Sequence, residues 1–121
     1  MTHPAESEQA RAARHPGSVQ VLHSGSRVRL VLTGEVDASM NAQMVEAVHD
    51  VADRDLPIDV ETRQVTFIDS SAIALLVYLA HRVPHPMRFI QPSEPVRFLM
   101  DITQLDEQAE VLDHDPGFDG A

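Results

Sequence analysis

The chain of 121 residues has no cysteine. That excludes a disulfide framework, thiolate catalysis and cysteine zinc sites, and it fits a reducing compartment. Lysine is also absent, and all nine basic residues are arginine. Positive charge is scarce, and the net charge is −10. An acidic chain releases no counterions from phosphate backbones, so neither nucleic acid nor an anionic membrane is expected as a partner. Long apolar runs are missing too. The longest, Ala72 to Ala80, is about half of what a membrane span needs. The opening Met1-Thr2-His3-Pro4 lacks the basic-then-apolar order of a signal peptide, so the expectation is a soluble cytoplasmic protein.

What is present suits one globular domain, with 43% apolar residues in a length that buries one modest core. Residues 1–17 show no useful period and read as a mobile N-terminal tail. Val19 and Val21, then Val28, Leu30 and Leu32, alternate with polar residues on either side of Ser24-Gly25-Ser26. This is the pattern of two strands joined by a tight turn, with Gly34 expected to break the second. Ser39 would cap a helix from about Met40 to Arg54, with Met44, Ala47, Val48 and Val51 as its apolar stripe.

Pro57 opens a strand at Ile58-Asp59-Val60 that leads through Val65-Thr66-Phe67-Ile68 to Asp69. A second helix is predicted from Ser70 to Arg82, stopped by Pro84 and Pro86. Met87 to Ile90 reads as another strand. A third helix follows, capped by Ser93 or Glu94 with Pro95 in its first turn, and with Phe98, Leu99 and Ile102 as anchors. Ala109 to Leu112 suits a short strand or helix. The order β-β-α-β-α-β-α points to helices packed on a mixed sheet. Residues 101–121 hold seven acidic residues and no arginine, and residues 114–121 read as an acidic solvated tail.

Catalytic machinery is sparse. The G-x-S-x-G elbow of a serine hydrolase is absent, as are the glycine-rich phosphate loops of nucleotide enzymes. His81 and His85 have i,i+4 spacing, but Pro84 ends the helix between them, so no shared metal face is expected. No cofactor is implied. Asp69-Ser70-Ser71 before an apolar stretch is first of all an N-cap signal. The helix behind it is apolar nearly all round. If Ile73, Leu76, Val77 and Ala80 face the sheet, then Ala72, Leu75 and Leu79 need cover, from neighbouring helices or from a partner protein.

Leu32-Thr33-Gly34-Glu35-Val36-Asp37 is similar to the "TGELD" strand end of the STAS family of anti-sigma factor antagonists. Val65-Thr66-Phe67-Ile68-Asp69-Ser70-Ser71-Ala72-Ile73 resembles that family's "FMDSSGL" turn, and Pro95 to Leu105 its "VRRLLELTGL" helix. Two family glycines are replaced, by Ala72 and by Gln104. The resemblance implies an α/β fold, a STAS-like mixed β-sheet of four to five strands flanked by helices, spanning residues 18–113. It implies a protein-binding switch rather than an enzyme. Its partners would be an anti-sigma serine kinase and a serine phosphatase acting on the phosphorylated form.

By residue match the phosphorylated position is Ser70, although the residues alone do not choose between Ser70 and Ser71. The partner surface would comprise Glu35, Asp37, Asp69, Ser71, Ala72 and Leu75. A non-phosphorylated scaffold subunit of a stress-signalling or lipid-transport assembly is the alternative, and a small serine hydrolase a more distant one.

Overall fold

The computed structural model describes residues 16–118. In it β1 (Ser18–His23), β2 (Val28–Val36), α1 (Asn41–Asp53), β3 (Ile58–Ile68), α2 (Ser70–Arg82), β4 (Arg88–Ile90), α3 (Glu94–Ile102) and β5 (Glu110–Leu112) follow in order. Short 3-10 turns lie at Ala38–Met40 and Leu105–Glu107. The five strands form one sheet in the order β1-β2-β3-β4-β5, antiparallel between β1 and β2 and parallel elsewhere. The mixed sheet and its flanking helices are the α/β architecture that the alternating pattern implied.

Alternation sets the core. Val28, Leu30 and Leu32 of β2, Val60 of β3 and Phe89 of β4 point to one side. There they join Met44, Val48 and Val51 of α1, Ile73, Leu76 and Leu79 of α2, and Val96 and Met100 of α3 in a single buried cluster. Each such aliphatic side chain contributes roughly 1.5–3 kcal/mol by leaving water.

Gly34 does not break β2. The strand continues to Val36, and register shifts between Val31 and Thr33 and between Gly34 and Glu35 let eleven residues of β3 run beside nine of β2. Gly34 sits at φ 72°, where a side chain would be strained, and this is how the strand absorbs the second shift.

Three other expectations change. On α3, Phe98 and Ile102 are 65% and 60% exposed, and the anchors are Val96 and Met100, with Leu99 packed partly beside them. On α2, Ala72 and Leu79 are fully buried while Val77 and Ala80 are only partly so, because the inward stripe runs through Ala72, Ile73, Leu76 and Leu79. The acidic end is not a free tail at 114–118, since Asp115 accepts two hydrogen bonds from Arg29, and the Phe118 ring lies over the same guanidinium. Most of the expected N-terminal tail falls outside the described residues. Pro16 and Gly17 are against the sheet, Pro16 bridging to Glu35. A side-chain carbon on Gly17 would collide with the Glu35 carbonyl oxygen and the Met40 sulfur.

The turn at Ser70 and its surroundings

β2 and β3 run parallel, so their C-terminal ends reach the same edge of the domain. The Asp69 amide donates to the Val36 carbonyl at 3.2 Å, which fixes the end of β2 beside the turn that leads into α2. Glu35, Asp37, Asp69, Ser70 and Ser71 are thereby gathered in one place.

Asp69 caps α2. Its carboxylate accepts from the Ala72 amide at 3.0 Å and from the Ser71 hydroxyl at 2.8 Å. Ser71 Oγ also lies 3.1 Å from Asn41 Oδ1. A hydroxyl has one proton, so both contacts are satisfied when the Asn41 amide is turned to donate and Ser71 donates to Asp69. Ser71 is therefore enclosed in a local network. Ser70 is different: it is exposed, and its hydroxyl makes no hydrogen bond among the described residues.

Asp37 starts the turn that precedes α1, accepting from both the amide and the hydroxyl of Ser39. These hydrogen bonds hold its carboxyl below the ordinary aspartate value. Glu35 is half-buried in the strand end. Ala72 is fully buried beneath the turn, so it presents no surface of its own to a partner. Leu75 stays partly exposed, while Ala74 and Tyr78 beside it point outward.

Two residues of this edge carried no signal in the sequence. Asn41 belongs to the network only because α1 starts beside α2. Phe67, 49% exposed and paired with Glu35, faces outward because the register shift after Val65 places Thr66 and Phe67 together on the surface. Strict alternation from Val65 would have buried it. An open pocket of about 550 Å³ lies nearby, lined by Pro16, Thr33, Gly34, Gln64 and Thr66, with no titratable side chain. Farther along α2, the ring nitrogen of His81 meets the Val77 carbonyl oxygen at 2.9 Å, while His85 lies beyond the helix end. Among the described residues, no helix is long and apolar enough to cross a membrane.

Known structures share this architecture. An anti-sigma factor antagonist from Mycobacterium paratuberculosis superposes with a TM-score of 0.72 at 16% identity, over 86% of this chain and 89% of that one. The anti-sigma factor antagonist SpoIIAA in its unphosphorylated form gives 0.66 at 16% identity, over 81% and 90%. A candidate anti-sigma factor antagonist from Thermotoga maritima gives 0.61 at 17%, over 82% and 87%. No curated protein sequence matches the chain. The family described as "Mlab, STAS domain" matches residues 19–113. With most of its length covered by that match, and with the fold to go with it, the chain belongs to the STAS domain family.

Proposed function

We propose that the chain is an anti-sigma factor antagonist that binds an anti-sigma serine kinase while Ser70 is unmodified and releases it once Ser70 is phosphorylated. A serine phosphatase would reset the switch. The observation that carries this reading is the contrast between the two serines. Ser70 offers an exposed, unbonded hydroxyl at a helix start, whereas Ser71 is held by Asp69 and Asn41. The descriptions of the three structural relatives support the same role.

The chemistry of release follows from charge. A phosphate adds about −1.5 to −2. The N-terminal end of α2 partly offsets it, so the fold tolerates the group. A partner packed on the turn would meet that phosphate beside the carboxylates of Glu35, Asp37 and Asp69 and would have to desolvate them together. Binding is lost while the domain stays intact.

The test is incubation with the cognate kinase and ATP, followed by intact mass and peptide mapping. Ser70→Ala should fold, bind the kinase and resist phosphorylation, and Ser70→Asp should fold and bind much more weakly. Ser71→Ala should still be phosphorylated. Phosphate found only on Ser71, or none from an active kinase that binds the chain, overturns the switch and favours a fixed subunit of a larger assembly.

A further inference from the structure

Arg29, Asp59 and Arg88 stand side by side on β2, β3 and β4, in register across the sheet. They alternate with the core residues Leu30, Val60 and Phe89 and so point to the opposite face. Asp59 is fully buried and accepts from Arg27, Arg29 and Arg88. This fixes Arg29, whose side chain is 7% exposed. Its two terminal nitrogens form a fork on Asp115, each 3.1 Å from a carboxylate oxygen, and the Phe118 ring lies 4.9 Å from the guanidinium carbon. Arg29 Nε is buried and has no hydrogen-bond partner among the described residues.

Beyond Leu112 the segment is fastened mainly by side chains. Asp113 accepts from Arg97 at 3.2 Å with its own side chain 89% exposed, and its carbonyl oxygen accepts from Gln91 Nε2 at 3.4 Å. Asp115 is 44% exposed, and its remaining bond is a local turn with the Gly117 amide. The Arg97–Asp113 pair, this open to water, holds weakly.

We propose that Arg29 is the centre of a docking site for an acidic–aromatic segment of another protein, a carboxylate followed three residues later by an aromatic ring. Asp115 and Phe118 occupy that site in cis. The receptor half does not depend on its occupant, because Asp59 orients the guanidinium from beneath, and a pre-organised fork binds at little ordering cost. The occupant displays the chemistry the site selects: two parallel bonds to a carboxylate and a ring stacked on a planar cation. The buried Nε is left without an acceptor by the chain's own segment. In a chain of net charge −10, this fork is a local exception that suits an acidic partner. Arg29 lies six residues before Glu35 along β2, about 20 Å from the Ser70 edge, so both surfaces are open to occupation at once.

A tethered ligand competes at an effective concentration in the millimolar range, so an added segment binds visibly only when the tethered one is removed. The probe is a fluorescent peptide with the sequence of residues 111–118, titrated by anisotropy against the full chain and against the full-length double variant Asp115→Ala with Phe118→Ala. The variant should bind at least tenfold more tightly than the parent. Peptides carrying Asn for the Asp115 position or Ala for the Phe118 position should each bind at least tenfold more weakly. On the unaltered chain, shifts of the Arg29 and Gly117 amide resonances with excess peptide read the displacement without any substitution. Equal or undetectable binding to both chains without such shifts overturns the proposal, as does indifference to the peptide changes. A parent dimer that the double variant converts to monomer assigns the site to a second copy and overturns it as well.

Discussion

Asn41, the first residue of α1, and Ser71, in the first turn of α2, meet at 3.1 Å across thirty residues of sequence. With Asp69 as the third member, this contact ties two helix starts into one rigid edge and leaves Ser70 alone outside it. Asn41→Ala and Ser71→Ala should each destabilise the domain by about 1 kcal/mol, and the double variant by clearly less than the sum. Urea titration of the four chains measures this. Fully additive losses would mean that the contact contributes nothing.

Leu75, Leu76 and Leu79 differ in exposure although the sequence makes them alike. Leu76 and Leu79 are fully buried and Leu75 is partly open. Leu76→Asp and Leu79→Asp should both abolish cooperative unfolding, since each leaves an unpaired charge in the core. Leu75→Asp should keep a cooperative transition and weaken kinase binding at least tenfold. Thermal melts sort the first two from the third. Unimpaired kinase binding by folded Leu75→Asp would remove Leu75 from the proposed partner surface.

Gln104 follows α3 at φ 61°, in the left-handed region. The Pro95 to Leu105 stretch resembles a family motif with glycine at this place, and the backbone retains the shape that glycine suits. A left-handed non-glycine residue costs roughly 1–2 kcal/mol, while glycine forfeits part of that by loosening the unfolded chain. Gln104→Gly should therefore stabilise the domain by about 0.5–1 kcal/mol, read as a raised urea midpoint with an unchanged slope. An unchanged or lowered midpoint would contradict it.

How much of this was legible in the sequence depended on the kind of signal. The helix over Ser70–Arg82 was bounded on both sides, by an aspartate cap and by Pro84, so its ends were readable. The facing of α3 was not. Val96, Leu99 and Met100 make one helical stripe and Phe98 and Ile102 another, and packing alone chooses between them. Three residues of β5 are too few to show a period. Of the edge beside Ser70, the local motif exposed Asp69 and Ser70, while Asn41 and Phe67 depended on helix placement and a strand irregularity that no short window contains. The cluster on Asp59 was hidden most completely. Ile58-Asp59-Val60 says only that the carboxylate points away from the core, and Arg29 and Arg88 reach it through the register of three strands.

Asp59 then sets how the domain responds to acid. Burial works to raise its carboxyl pKa, but the hydrogen bonds and charges of Arg88 and Arg27 outweigh it, and the group is held below the ordinary aspartate value. A carboxylate depressed in the folded state contributes stability that is complete above its unfolded pKa, about 3.9, and is lost as pH falls through the folded value. Asp59 therefore takes nothing from stability between pH 7 and about pH 5, and its contribution drains away below about pH 4. Asp59→Asn leaves Arg27, Arg29 and Arg88 around a neutral amide and should cost about 3–5 kcal/mol at neutral pH. Urea midpoints across pH 2.5–7 should show a shallower acid decline for that variant than for the parent. Asp115→Asn provides the same comparison in a milder form, because the Arg29 side chain likewise holds Asp115 below its ordinary value. Acid limbs of equal steepness in parent and both variants would show that protonation elsewhere governs the unfolding.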